Sequence, residues 1–80
     1  MRFKIGDRVK YVSRSYGDGP SNPLWGGIYG EILGTIVNIV NTRGSLPLKV
    51  NWDNGNHNGY DEKDLVLYEV IKLEDELFEI

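Results

Sequence analysis

The feature that most limits what this chain can fold into is the stretch Leu-Pro-Leu-Lys-Val-Asn-Trp-Asp-Asn-Gly-Asn-His-Asn-Gly-Tyr from Leu46 to Tyr60. Leu48, Val50 and Trp52 alternate with Lys49, Asn51 and Asp53, the pattern of a strand with one buried face. Asn54-Gly55 follows, and both residues tolerate positive φ, so the strand reverses into a hairpin. Either of two registers fits. A turn of Asn54-Gly55 alone sets Trp52 opposite His57 and turns Tyr60 outward beside Lys49. A longer turn, with only Gly55 left-handed, sets Trp52 opposite Asn56 and Tyr60 beside Leu48. The second is preferred because it gives the Tyr60 ring a buried partner, and one residue of slip moves every side chain to the other face.

Around this hairpin the chain reads as a small all-β domain. Phe3, Ile5, Val9 and Tyr11 alternate with Arg2, Lys4, Arg8 and Lys10, giving a first strand with an apolar inner face and a row of cations outside. Gly6-Asp7 marks a bend within it. The cations could meet phosphates, but protection of an exposed strand edge is the better reading. Residues 13–33 hold too much Gly, Pro, Ser and Asn for a continuous helix and form a long loop, of the kind that often binds something. Its Tyr16, Leu24, Trp25, Ile28 and Tyr29 serve either as plugs on the domain or as the lining of a ligand groove. Gly34 to Val40 forms a second strand, apolar on both faces and therefore expected to be covered on its outer side. Asp61 to Asp64 suits one helical turn, and Leu65 to Tyr68 a closing strand. The domain is expected over residues 1–68. Residues 69–80 form an acidic-hydrophobic extension that either carries a helical apolar stripe or continues the last strand.

Composition narrows the chemistry. With no cysteine, disulfides and thiolate metal sites are absent, which suits a reducing, cytoplasmic setting. No apolar run is long enough to span a bilayer, so no membrane partner is expected. His57 is the single histidine and has no cysteine or serine elbow to work with, so no catalytic residue is assigned and the chain is read as a non-enzyme. Asp53 to Asp64 mimics a calcium loop but carries Asn58 where the sharp turn needs glycine, so neither metal nor cofactor is expected. Net charge is −3, yet residues 1–50 hold seven Lys/Arg against three acids and residues 51–80 hold two against nine. Such an asymmetry often does no more than solvate a surface.

Several of these residues resemble a known family. Gly6-Asp7-Arg8-Val9 is similar to the opening of many SH3-like barrels. Trp25-Gly26, Gly30 to Val37, Val50-Asn51-Trp52-Asp53-Asn54-Gly55 with Asn58 and Tyr60, and Asp64-Leu65 resemble the Mind-bomb/HERC-type SH3-like domain. The chain departs from that pattern at Tyr11 to Tyr16, where the family has Arg-Gly-Pro-Asp-Trp, and it lacks the family's Gln-Asp-Gly-Gly. The resemblance implies a single five-stranded SH3-like barrel that recognises peptide segments, as the domain does in large ubiquitin ligases. It carries over Trp25, Trp52, Asp53, Asn58 and Tyr60 as ligand-binding residues. The resulting expectation is a non-catalytic protein- or peptide-binding module, adaptor or small inhibitor. Its aromatic groove would lie between the long loop and the Asn-Gly hairpin, with Tyr16, Trp25, Trp52 and Tyr60 as platforms and Asp53 and Asn58 as acceptors. The alternative is a nucleic-acid-binding barrel of the KOW kind, using Arg2, Lys4, Arg8, Lys10, Arg14 and Arg43.

Overall fold

A computed structural model describes residues 3–40, 44 and 46–68. Arg2, Arg43 and the 69–80 extension lie outside the described residues. The described chain is all-β, with strands β1 (Arg8–Tyr11), β2 (Gly34–Ile39), β3 (Leu48–Trp52), β4 (His57–Tyr60) and β5 (Leu65–Leu67). They form one five-stranded antiparallel sheet in the order β4-β3-β2-β1-β5. A long β1–β2 loop, a tight β3–β4 hairpin and a 3₁₀ turn at Glu62–Asp64 that hands the chain to β5 complete a small barrel-like arrangement.

The hairpin adopts the register that buries Tyr60. Leu48 pairs with Tyr60 and Val50 with Asn58, while the Trp52 N–H donates to the Asn56 carbonyl at 2.7 Å. Gly55, at φ +93°, takes the left-handed position of the turn. Leu48, Val50, Trp52 and Tyr60 therefore face inward together with Phe3, Val9, Tyr11, Ile36 and Leu65, and these residues form the core. Gly34 lies beneath this layer on β2. A Cβ there would come within 2.5 Å of both Trp52 Cε3 and Val50 Cγ1, so only glycine lets the indole lie flat across the strand.

Two expectations need correcting. First, β1 is not an edge. It pairs with β2 on one side and β5 on the other, so its cations do not guard an open strand. Second, β2 is not covered on its outer side, since Val37 is 44% exposed. The reason is a bulge between Ile36 and Asn38. Ile36 pairs with Val50, and the extra residue reverses the parity so that Ile39 pairs with Leu48, again on the core side. An apolar run on both faces of a sequence segment thus becomes one buried face with an inserted Val37.

Candidate functional site

The long loop is held to the barrel at named points. The Tyr11 hydroxyl, inside the core, donates to the Gly17 carbonyl at 2.9 Å and accepts from the Tyr16 N–H at 2.9 Å. Gly19 and Asn22 close a turn by mutual backbone hydrogen bonds of 3.0 Å. That turn lies against the hairpin. The Tyr60 hydroxyl is 2.6 Å from Asn22 Oδ1 and 2.9 Å from the Ser21 carbonyl, sharing one proton between them, and accepts from the Trp52 indole N–H at 3.0 Å. Asn58 Nδ2 donates to Asn22 Oδ1 at 3.0 Å, and Asn54 Nδ2 donates to the Pro20 carbonyl at 2.9 Å. Burial drives the Tyr60 phenol strongly upward in pKa, against the Trp52 hydrogen bond that favours its anion.

This closes the expected groove. Loop and hairpin are hydrogen-bonded to each other along Pro20 to Asn22, and Trp52 and Tyr60 are 3% and 0% exposed. As open platforms these two residues are corrected: they are core rings, 5.6 Å apart centre to centre and edge-on. Tyr16 packs edge-on to Tyr60 at 5.9 Å but stays 43% exposed, so one ring of that stack reaches water. Asn58 is exposed, but its amide is used on Asn22 and on the Gly59 N–H.

Asp53 and Arg8, each expected to serve a ligand, instead serve each other. Arg8 Nη1 and Nη2 donate to the two Asp53 carboxylate oxygens at 2.8 and 2.6 Å, and Nη1 also reaches Thr35 Oγ1 at 2.8 Å. The fork holds the Asp53 carboxyl below its ordinary pKa and raises Arg8 further. The remaining cations are dispersed. Lys4 is exposed in the turn before β1. Lys10 Nζ sits 5.0 Å over the Trp25 ring, and Arg14 is exposed with left-handed backbone at φ +63°.

Trp25 lies half-buried, with its backbone N–H donating to the Tyr11 carbonyl at 3.0 Å and its ring 6.2 Å from that of Tyr68. Just beyond it, Gly27 and Gly30 bridge each other and set Ile28 and Tyr29 at the apex of a tight turn. Asp18 anchors this apex from inside the loop, accepting from the Ile28 N–H at 2.9 Å and the Leu24 N–H at 3.2 Å. Ile28 is 79% and Tyr29 43% exposed. Both are expected as plugs or groove lining but are not among the residues assigned to the ligand. Their signal was a Gly-Gly-Ile-Tyr-Gly turn that places two large residues between glycines.

Among the described residues no three His, Asp or Glu side chains gather as metal ligands, and no helix is long and apolar enough to cross a membrane. Asp53 and Asp64, the ends of the calcium-loop mimic, are engaged with Arg8 and with the 3₁₀ turn. No protein-family model and no curated protein matches the sequence. The fold is similar to that in the NMR structure of the Bacillus subtilis protein YorP, with a TM-score of 0.63 over 89% of this chain and 75% of that one. At 14% identity the likeness is one of fold alone.

Proposed function

We propose that the chain is a non-catalytic module that binds a protein or peptide through the apex of its long loop, with Ile28, Tyr29 and Trp25 as the contact residues. The observation that carries this reading is the contrast within one loop. Its backbone is tied down at Gly17, Pro20, Ser21 and Trp25, yet its apex leaves Ile28 79% exposed. A preorganised loop lowers the ordering entropy of association, and a fixed pair of aliphatic and aromatic side chains gives area at little rotamer cost. The Trp52-Asp53-Asn54-Gly55 block with Asn58 and Tyr60 supports a relation to the Mind-bomb/HERC-type domain. In this chain those residues hold the loop, so the ligand surface moves outward to the apex.

The nucleic-acid reading loses its central cation, because Arg8 is neutralised by Asp53. Selection of displayed random peptides on the folded domain tests the proposal. Enriched peptides should bind the parent and lose about tenfold or more with Ile28→Ser or Tyr29→Ser, both exposed positions. Enriched peptides that bind these variants equally well, or a selection without enrichment, would sink it.

A further inference from the structure

A second face of the molecule is built differently. On the outside of the β2-β3-β4 sheet lies a shallow depression of about 440 Å³, to which Val37, Asn38, Lys49, Asn51, His57 and Gly59 contribute. Among the described residues no carboxylate lines it, in a chain with twelve acids against nine Lys/Arg. Neither Lys49 nor His57 has an ion-pair partner among the described residues.

The parts of this face are held in place. The β2 bulge turns Val37 outward, where it is 44% exposed and supplies an aliphatic floor. Asn38 commits its Oδ1 to the Ile39 N–H at 2.9 Å, which leaves its amide nitrogen as a donor. Lys49 lies across the bare backbone of Gly59, where a Cβ would stand 3.1 Å from Nζ and 3.5 Å from Cδ. A side chain at that position would crowd the ammonium group where it rests over β4.

We infer that this face is a binding site for an acidic peptide segment of a partner protein. A carboxylate meets Lys49, the amides of Asn38 and Asn51 donate beside it, and an aliphatic side chain rests on Val37. Charge complementarity points to this occupant. A single-stranded nucleic acid fits less well, because among the described residues no Trp, Tyr or Phe lines the depression to stack a base and a phosphate chain calls for more than one permanent cation. Simple strand addition is also disfavoured, since the Gly59 N–H on edge strand β4 is already taken by Asn58 Oδ1 at 2.9 Å.

The test is an NMR titration of the full chain at low ionic strength with the capped peptide acetyl-Glu-Val-Glu-Val-Glu-amide. Amide shifts should concentrate at Val37, Asn38, Lys49, Asn51 and His57. Lys49→Glu should weaken binding about tenfold, and Asn51→Asp, at an exposed position, should weaken it in the same direction. Ile28→Ser and Tyr29→Ser should leave it unchanged, which separates this site from the loop apex. Shifts gathered around Lys10 or the loop, no shifts at all, or unaltered binding by Lys49→Glu would overturn the inference. So would tighter binding of oligothymidylate to the same face.

Discussion

The Tyr60 hydroxyl receives the Trp52 indole proton and shares its own between the Ser21 carbonyl and the Asn22 amide. One buried oxygen therefore ties core, hairpin and loop together. Tyr60→Phe keeps the ring packing and strands three partners, so a loss of about 1 to 3 kcal/mol is expected in denaturant unfolding. Burial holds the phenol above its ordinary pKa of 10.0. The unfolded chain ionises first, so this stabilisation is complete below that pH and declines as pH rises past it. Phenolate absorbance of Tyr60 should accordingly emerge only together with loss of far-ultraviolet β signal. Gly34→Ala is a second residue-scale case. The added methyl meets Trp52 and Val50 at 2.5 Å, and an overpacking cost of about 1 to 3 kcal/mol is expected. Part of this was legible in the sequence. Alternation at Leu48, Val50 and Trp52 and the Asn54-Gly55 turn are local signals, and pairing Tyr60 with Leu48 followed from its need for burial. That the same ring also carries the latch to Asn22 was not legible, because the two residues are 38 positions apart.

Among the elements, the 3₁₀ turn does more than its three residues suggest. Asp64 is fully buried there, accepting from the Asp61 N–H at 3.0 Å and the Ser15 hydroxyl at 2.9 Å. Burial opposes its ionisation, but the hydrogen bonds from Ser13, Asp61 and Ser15 prevail and hold the carboxyl below its ordinary 3.8. A lowered folded-state pKa gives stability that is present above that value and is lost as pH falls through the folded-state pKa. Denaturant midpoints should fall as acid protonates Asp64, and Asp64→Asn should remove part of that fall while costing about 1 to 3 kcal/mol at neutral pH. The sequence marked a helical turn at this place, but the turn's grip on the loop depends on a contact 49 residues away. The bulge in β2 was similarly hidden. Ile36 to Val40 is apolar at both parities, and periodicity alone does not say which residue the ladder will skip.

At the scale of the whole molecule, the long β1–β2 connection behaves as part of the barrel. Its turns are closed by backbone hydrogen bonds, and its carbonyls are held by Tyr11, Asn54 and Tyr60 from three different strands or turns. Hydrogen exchange of Asn22 and Trp25 should approach the protection of β3 and β4, since opening them breaks contacts to the core. Fast exchange at both, beside a protected hairpin, would show the loop to be independent. Strand order was the part least readable beforehand. The row of cations on β1 looked like an edge, whereas pairing with β5 makes it interior and leaves Arg8 free to reach Asp53 across β2.

The way the loop is fastened has a consequence for variation. Tyr11 takes the oxygen of Gly17, Asn54 that of Pro20 and Tyr60 that of Ser21, all of them main-chain groups, and of the three only Gly17, at φ +76°, needs a particular residue. Apart from Ser15, Asp18 and Asn22, whose side chains are themselves ties, and the glycines at positive φ, the mooring does not read the identity of what it holds. Ile28 and Tyr29 can therefore change from one descendant of this chain to another, or from one library member to another, on an unaltered frame. In the proposed reading, the frame stays constant while the contact residues it carries are free to diverge.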